Sequence, residues 1–348
     1  MRDRETLPTT VLTGFLGSGK TTLLKRALTS LALADTAVVI NEIGDVAIDH
    51  HLIDFVTDSV VELPGGCLCC AMREDLASTL RNLIDRRSSG EVRAFRRIVV
   101  ETTGLADPAP ILYTLGADPM LDHCLHLAGV VTLIDAVTGS ETLDRFPEAA
   151  RQAALADKLI ISKTDLAPLS PQLASQLDQI NGRAQRVLAH GCTDPGALLF
   201  DGARHTPPLE LLGRPVAHHS HGIDAFTISL GGEISRLEFA RALGGIARER
   251  GNDLLRVKGI VRFSDRPDRP AVVQAAQHAM FAPEWLDDWP AEWSLDDHRS
   301  RLVFVVHEIP RREIIEHFAF ADPTFWSTRQ SSVDRPPNSA DERERYPS

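Results

Sequence analysis

The sequence has few thiols, no long hydrophobic run and no surplus of positive charge. Five cysteines stand among 348 residues. A number that small and odd excludes a disulfide-stapled scaffold, where every thiol would find a partner. The longest strongly apolar stretch, around residues 127–134, falls far short of the ~20 residues a membrane helix needs. The N-terminal segment MRDRETLPTTVLTG lacks the apolar centre of a secretory leader. These features predict a cytoplasmic chain with no membrane partner. Lys and Arg total 37 against 48 Asp and Glu, a formal net charge of −11. A nucleic-acid backbone calls for a basic face, so nucleic acid is excluded as the main ligand.

Hydrophobic residues make up 43% of the chain, enough to build real cores, and the length suits two domains. Short apolar runs at 10–12, 37–40, 60–61, 98–100, 129–134, 159–161 and 186–188 alternate with helical stretches such as 20–34, 74–86 and 171–180. Strands that short, apolar on both faces and separated by helices, predict a mainly parallel sheet covered on both sides. The expected fold is therefore an α/β P-loop NTPase domain over residues 1–200. A segment rich in Pro, Gly and His, 201–224, reads as a linker. Residues 225–322 show strand–helix–strand–strand–strand–helix patterning and predict a smaller α+β domain of ferredoxin-like type. A Trp-bearing insertion with Trp285, Trp289 and Trp293 interrupts it. The polar tail 323–348 is expected to be disordered.

Residues 14–22 read GFLGSGKTT and satisfy G-x-x-x-x-G-K-[ST] in full, after a strand and at the start of a helix. Gly14, Gly17, Ser18 and Gly19 let backbone amides curl around phosphates, and the helix N-terminus adds partial positive charge. Lys20 would reach the β- and γ-phosphates, Thr21 would hold Mg²⁺, and Thr22 completes the motif. The strand in RIVVETTG ends at Glu101, where an acid can serve hydrolysis beside the γ-phosphate. Gly104, three residues on, lets a loop approach that phosphate. In LIISKTD, Asp165 can accept two hydrogens from guanine and the Lys163 stem can cover the base, which favours GTP over ATP. Ser162 stands where the common guanine motif has Asn.

Cys67, Cys69 and Cys70 put three of the five thiols within four residues, in GGCLCC. Three readings stand on residues alone: an open tetrahedral site for Zn²⁺ or Co²⁺, a C-x-x-C redox switch, or a packed apolar turn. Asn41, Glu42 and Asp45 follow a buried strand and could sense Mg²⁺ or add hard ligands to the soft site. His218, His219 and His221 cluster in the linker and could capture a metal in passing. Cys124 and Cys192 are isolated and read as structural.

Taken together, TGFLGSGKTTLL, NEIGDVAID, GGCLCC, ETTGLADP and SKTD resemble the CobW-like GTPases, the YjiA-type branch in particular. LLRVKGIVRF, VVQAAQHAM and SRLVFVVHEI are similar to that family's C-terminal domain. The resemblance implies a P-loop GTPase that handles transition metals and loads them into client metalloproteins, in some members nitrile hydratases or enzymes of cobalamin synthesis. It implies that residues 14–22 bind the phosphates with Mg²⁺, that Lys20 and Glu101 serve hydrolysis, and that Lys163 and Asp165 hold the guanine. It further implies that Cys67, Cys69 and Cys70 form the metal motif, and that Glu42 and Asp45 belong to the acidic switch segment. Turnover without a partner is expected to be slow, and a homodimer is an assembly kept open. The competing expectations are a phosphotransferase using the same loop and a redox sensor using the C-x-x-C.

Overall fold

Seven runs of aliphatic and β-branched residues form the seven strands of one parallel sheet. The computed structural model describes residues 6–28, 35–41, 60–62, 69–192, 194–200, 221–289 and 299–325, with side chains for all of these but 41, 60–62, 69–75 and 325. In chain order the first domain runs β1 (Leu7–Gly14), α1 (Lys20–Leu28), β2 (Thr36–Asn41), β3 (Val60–Glu62), α2 (Cys69–Ser89) and β4 (Arg97–Thr102). It continues through α3 (Ala109–Ala117), α4 (Pro119–Cys124), β5 (Leu125–Asp135), α5 (Gly139–Arg145) and α6 (Pro147–Leu155). β6 (Lys158–Ser162), α7 (Pro171–Asn181), β7 (Gln185–Leu188) and α8 (Pro195–Phe200) complete it.

The strand order is β3-β2-β4-β1-β5-β6-β7. The chain builds one half of the sheet on one side of β1 and the other half on the other side. The carboxyl end of β1 therefore lies at the topological switch point, where such sheets open a crevice for ligands. Successive residues of a strand face opposite ways, and the core divides accordingly. Val11, Val39 and Val100 pack with Leu80, Leu112 and Leu155 on one face. Leu12, Val38 and Val99 pack with Leu24, Ile160 and Leu199 on the other. Burial on both faces explains why these strands read as unbroken apolar runs.

The second domain comprises β8 (Ile223–Leu230), α9 (Arg236–Arg250), β9 (Arg256–Val261), β10 (Ala271–Ala276), β11 (Ala279–Met280) and β12 (Glu284–Trp285). It ends with β13 (Ser300–His307), α10 (Arg311–His317), a 3₁₀ turn (Ala319–Ala321) and β14 (Thr324–Phe325). Its sheet runs β11-β10-β9-β13-β8-β14, with β12 against β10 and every pairing antiparallel. Taken without β10 to β12, the order β14-β8-β13-β9 is the double split βαβ of the ferredoxin-like fold. β10 extends the edge beside β9, and β11 and β12 pair with β10. Two expected boundaries move. β8 begins at Ile223 rather than 225, and the sheet runs on to Thr324–Phe325, past 322, because the last strand bonds to Ser229 and Ile228 of β8.

The two domains share a core. Ile223, Ala225, Leu255, Ala276, Phe281 and Val305 of the second lie in the same cluster as the first domain's helices. A charged anchor stands beside it. Asp157, just ahead of β6, receives hydrogen bonds from Arg256 Nη2 at 2.7 Å, Lys258 Nζ at 2.9 Å and the Val130 amide at 2.8 Å. Arg256 also donates to the Leu155 carbonyl. Burial works to raise the Asp157 carboxyl, but the Arg256 guanidinium and the Lys258 ammonium outweigh it and hold it far below the ordinary carboxylate range.

Candidate functional site

The strand β1 ends on Gly14, which adopts a φ of +143°. A Cβ there would stand 2.6 Å from the Leu133 carbonyl oxygen and 2.8 Å from Ser18 Oγ, so only glycine fits. The loop of Gly17, Ser18 and Gly19 follows, closed by the Ser18 amide on the Phe15 carbonyl at 3.1 Å, and the Leu23 amide bonds to Gly19 at 2.9 Å as α1 begins. Lys20 is buried. Its ammonium donates to the carbonyls of Gly14 at 2.6 Å and Phe15 at 3.2 Å. The cation is thus folded back over the mouth of the loop by the loop's own backbone. Thr22 lies exposed on α1.

Glu101 is 1% exposed at the end of β4. It accepts a hydrogen bond from Thr21 Oγ1 at 3.1 Å across 80 residues of sequence. A hydroxyl beside a buried carboxylate, next to a lysine ammonium and a ring of amides, is the donor set that a triphosphate with Mg²⁺ requires. Gly104 lies against the phosphate loop. A Cβ on it would stand 2.7 Å from the Leu16 amide nitrogen, which explains the glycine by close approach. The loop between Glu101 and α3 is held from α6. Gln152 Nε2 donates to the carbonyls of Ala106 at 2.9 Å and Gly104 at 3.2 Å, and Arg151 pairs with Asp107 at 3.1 Å. Nothing in the sequence pattern marks Gln152, because its partners are backbone carbonyls more than 40 residues away.

On the base side, β5 ends on Asp135 and β6 on Ser162, directly opposite each other in the sheet. Ser162 Oγ donates to the Ser18 carbonyl at 2.6 Å, tying the strand to the phosphate loop. The short side chain suffices because the two backbones lie this close. Lys163 follows with a φ of +56° and brings Nζ to 2.5 Å from Asp135 Oδ2. Burial tends to raise the Asp135 carboxyl, but the Lys163 hydrogen bond, the Val137 amide and the Thr138 side chain prevail and lower it. Asp165 is exposed on the loop beyond. Sequence reasoning missed Asp135, although an acid ending a buried strand was a usable sign.

Cys67, Glu42 and Asp45 lie outside the described residues, as do His218 and His219. Cys69 and Cys70 open α2. The helix expected from residue 74 therefore starts further upstream, since Cys-Cys-Ala-Met places no helix breaker before it. Leu12, Glu101, Ile40 and Glu62 pair across β1, β4, β2 and β3 at one level. All four strands are parallel, so β3 ends at the same edge of the sheet as β1, where the phosphate loop begins. Two strand spacings, about 10 Å, separate Glu62 from Glu101. His221 bonds through Nε2 to the Leu143 carbonyl at 2.8 Å. Cys124 and Cys192 are free thiols. Among the described residues, no group of three or more His, Cys, Asp or Glu is disposed to hold a metal, and no helix is long and apolar enough to cross a membrane.

A glycine-rich turn between a central parallel strand and a helix, with lysine, threonine and a strand-end acid around it, defines a P-loop nucleotide-binding protein. The chain belongs to the CobW family. Residues 8–188 match the CobW/HypB/UreG nucleotide-binding domain and residues 223–321 the cobalamin synthesis protein cobW C-terminal domain. It is 32% identical to the zinc chaperone YjiA of Escherichia coli over 315 residues, covering 89% of this chain and 97% of the relative. It is 28% identical to the zinc chaperone CobW of Pseudomonas aeruginosa, covering 90% and 91%. Among solved structures it is similar to the Zn(II)-bound YjiA GTPase from E. coli. That match has a TM-score of 0.66 and 28% identity, and covers 91% of this chain and 99% of that one.

Proposed function

We propose that this protein is a GTP-hydrolysing metallochaperone that carries zinc to a client metalloprotein. The observation that carries the reading is the Thr21–Glu101 contact at 3.1 Å beside the buried Lys20. Thr21 and Glu101 would hold Mg²⁺, which when bound neutralises charge developing on the phosphates. Lys20 turns its ammonium from the Gly14 and Phe15 carbonyls to the β- and γ-phosphates. The amides of residues 17–21 orient the triphosphate, and the Glu101 carboxylate orients the attacking water. Lys163, fixed by Asp135, covers the guanine face, and the exposed Asp165 accepts from N1–H and the 2-amino group.

Zinc is the cargo. Cys67, Cys69 and Cys70 supply soft ligands, and Glu42 and Asp45 can add oxygen donors; Co²⁺ fits the same thiolate set. Because β3 ends level with Glu101 and Cys69 and Cys70 open the next described element, nucleotide state and metal affinity are coupled, and by linkage each biases the other. GTP tightens the grip and hydrolysis releases the ion to the client. This reading is supported by the names of the relatives, the zinc-bound neighbour and the sheet register.

Competition for zinc against a chelating dye tests it. Affinity should be tighter by about ten-fold or more with a non-hydrolysable GTP analogue than with GDP. Replacing Cys67, Cys69 and Cys70 by serine should abolish the difference. Equal zinc affinity in both nucleotide states would overturn the coupling.

A further inference from the structure

Gln152 is wholly buried on α6. Its backbone carbonyl accepts from Thr132 Oγ1 of β5 at 2.8 Å, so its place is fixed from the sheet. Its amide nitrogen serves two carbonyls, those of Ala106 and Gly104. Both partners are acceptors, so the NH₂ end must face them and the orientation is unambiguous. The amide oxygen, Oε1, is buried with no hydrogen-bond partner among the described residues. A glutamine present for packing alone would have both ends satisfied. The side chain also lines the cleft shared with Phe15, Leu16, Ser18 and Asp135, between the phosphate loop and the base side.

The loop it holds follows β4 after Thr102, touches Leu16 through Gly104, and enters α3 with the Ala109 amide bonded to Asp107 Oδ1 at 2.9 Å. Arg151, the preceding residue of α6, pins the same loop at Asp107. Consecutive side chains of one helix thus fix the loop at Gly104, Ala106 and Asp107.

We propose that Gln152 is a positioning residue for GTP hydrolysis, holding Gly104 against the phosphate loop where the γ-phosphate and attacking water must meet. It acts through the Gly104 and Ala106 carbonyls. This rests on the GTPase reading above.

The test is steady-state GTP hydrolysis and GDP affinity of the full chain, as wild type, Gln152→Met and Gln152→Glu, from mildly acid to mildly basic pH. Methionine fills the same volume without a donor. It should lower kcat about ten-fold or more, with KM for GTP and GDP affinity within about two-fold of wild type. Glutamate offers one O–H donor when protonated and none when ionised. Its kcat should rise as pH falls, along a titration that the wild type lacks. A wild-type kcat in Gln152→Met, a parallel loss of GDP affinity, or a Gln152→Glu profile parallel to wild type would each overturn the assignment. Failure of the wild type to hydrolyse GTP would instead sink the GTPase reading.

Discussion

Lys163 holds a left-handed backbone conformation that a residue with a Cβ adopts at a cost of roughly 1–2 kcal/mol. The Asp135 carboxylate, Ser162 bonded to Ser18 and the flanking strand over-determine it. Since the Asp135 pKa is lowered from 3.8, its contribution to stability is fully present above that value and is lost as pH falls through the lower folded value. Urea unfolding of Asp135→Asn should show reduced stability at neutral pH and a flatter decline into acid than wild type. At the other end of the site, Glu101→Gln should lower single-turnover hydrolysis by roughly 100-fold while GDP affinity holds. That Lys20, Thr21 and Glu101 meet at one loop followed from the spacing that phosphate chemistry dictates, and the place of Lys163 from its position just after a buried strand. Gln152 was not readable, since any residue reaching two distant carbonyls would do, and the sequence around it is an ordinary alanine-rich helix. Ser162 stands where the common guanine motif has Asn, and its short side chain still meets the Ser18 carbonyl because the two backbones lie close, a tertiary fact.

Among elements, β1, β2, β4, β5 and β6 were visible as apolar runs because each is buried on both faces, whereas β7 at the sheet edge is only partly covered. Between β4 and β6, α3 carries mostly apolar residues, so no polar face marks its period. α3 also shows what a helix does beyond its own domain. Gly116 near its end lies against the second domain, where a Cβ would meet Phe281 Cε1 at 3.1 Å and Ala279 Cβ at 3.2 Å. Tyr113 on the same helix stands edge-on to His278, with centroids 6.2 Å apart. Gly116→Val should therefore overpack this contact and cost about 1–3 kcal/mol, read as a lowered thermal midpoint.

For the whole molecule, the second domain was legible as α+β, but its completion was not. A two-residue strand such as β14 has no pattern of its own, and only its bonds to β8 make it the fourth strand of the split βαβ. The anchor between domains was equally hidden, since Asp157 and its cationic partners are about 100 residues apart. Asp157→Ala would leave the Arg256 and Lys258 charges without their counter-ion and should cost about 3 kcal/mol. Urea unfolding should then split from one transition into two as the domains part. Asp157 precedes β6, and Ser162, at the strand's far end, holds the Ser18 carbonyl. A single strand of five residues thus joins the interdomain anchor to the phosphate cradle, so both the second domain and the loop are referenced to one shared datum.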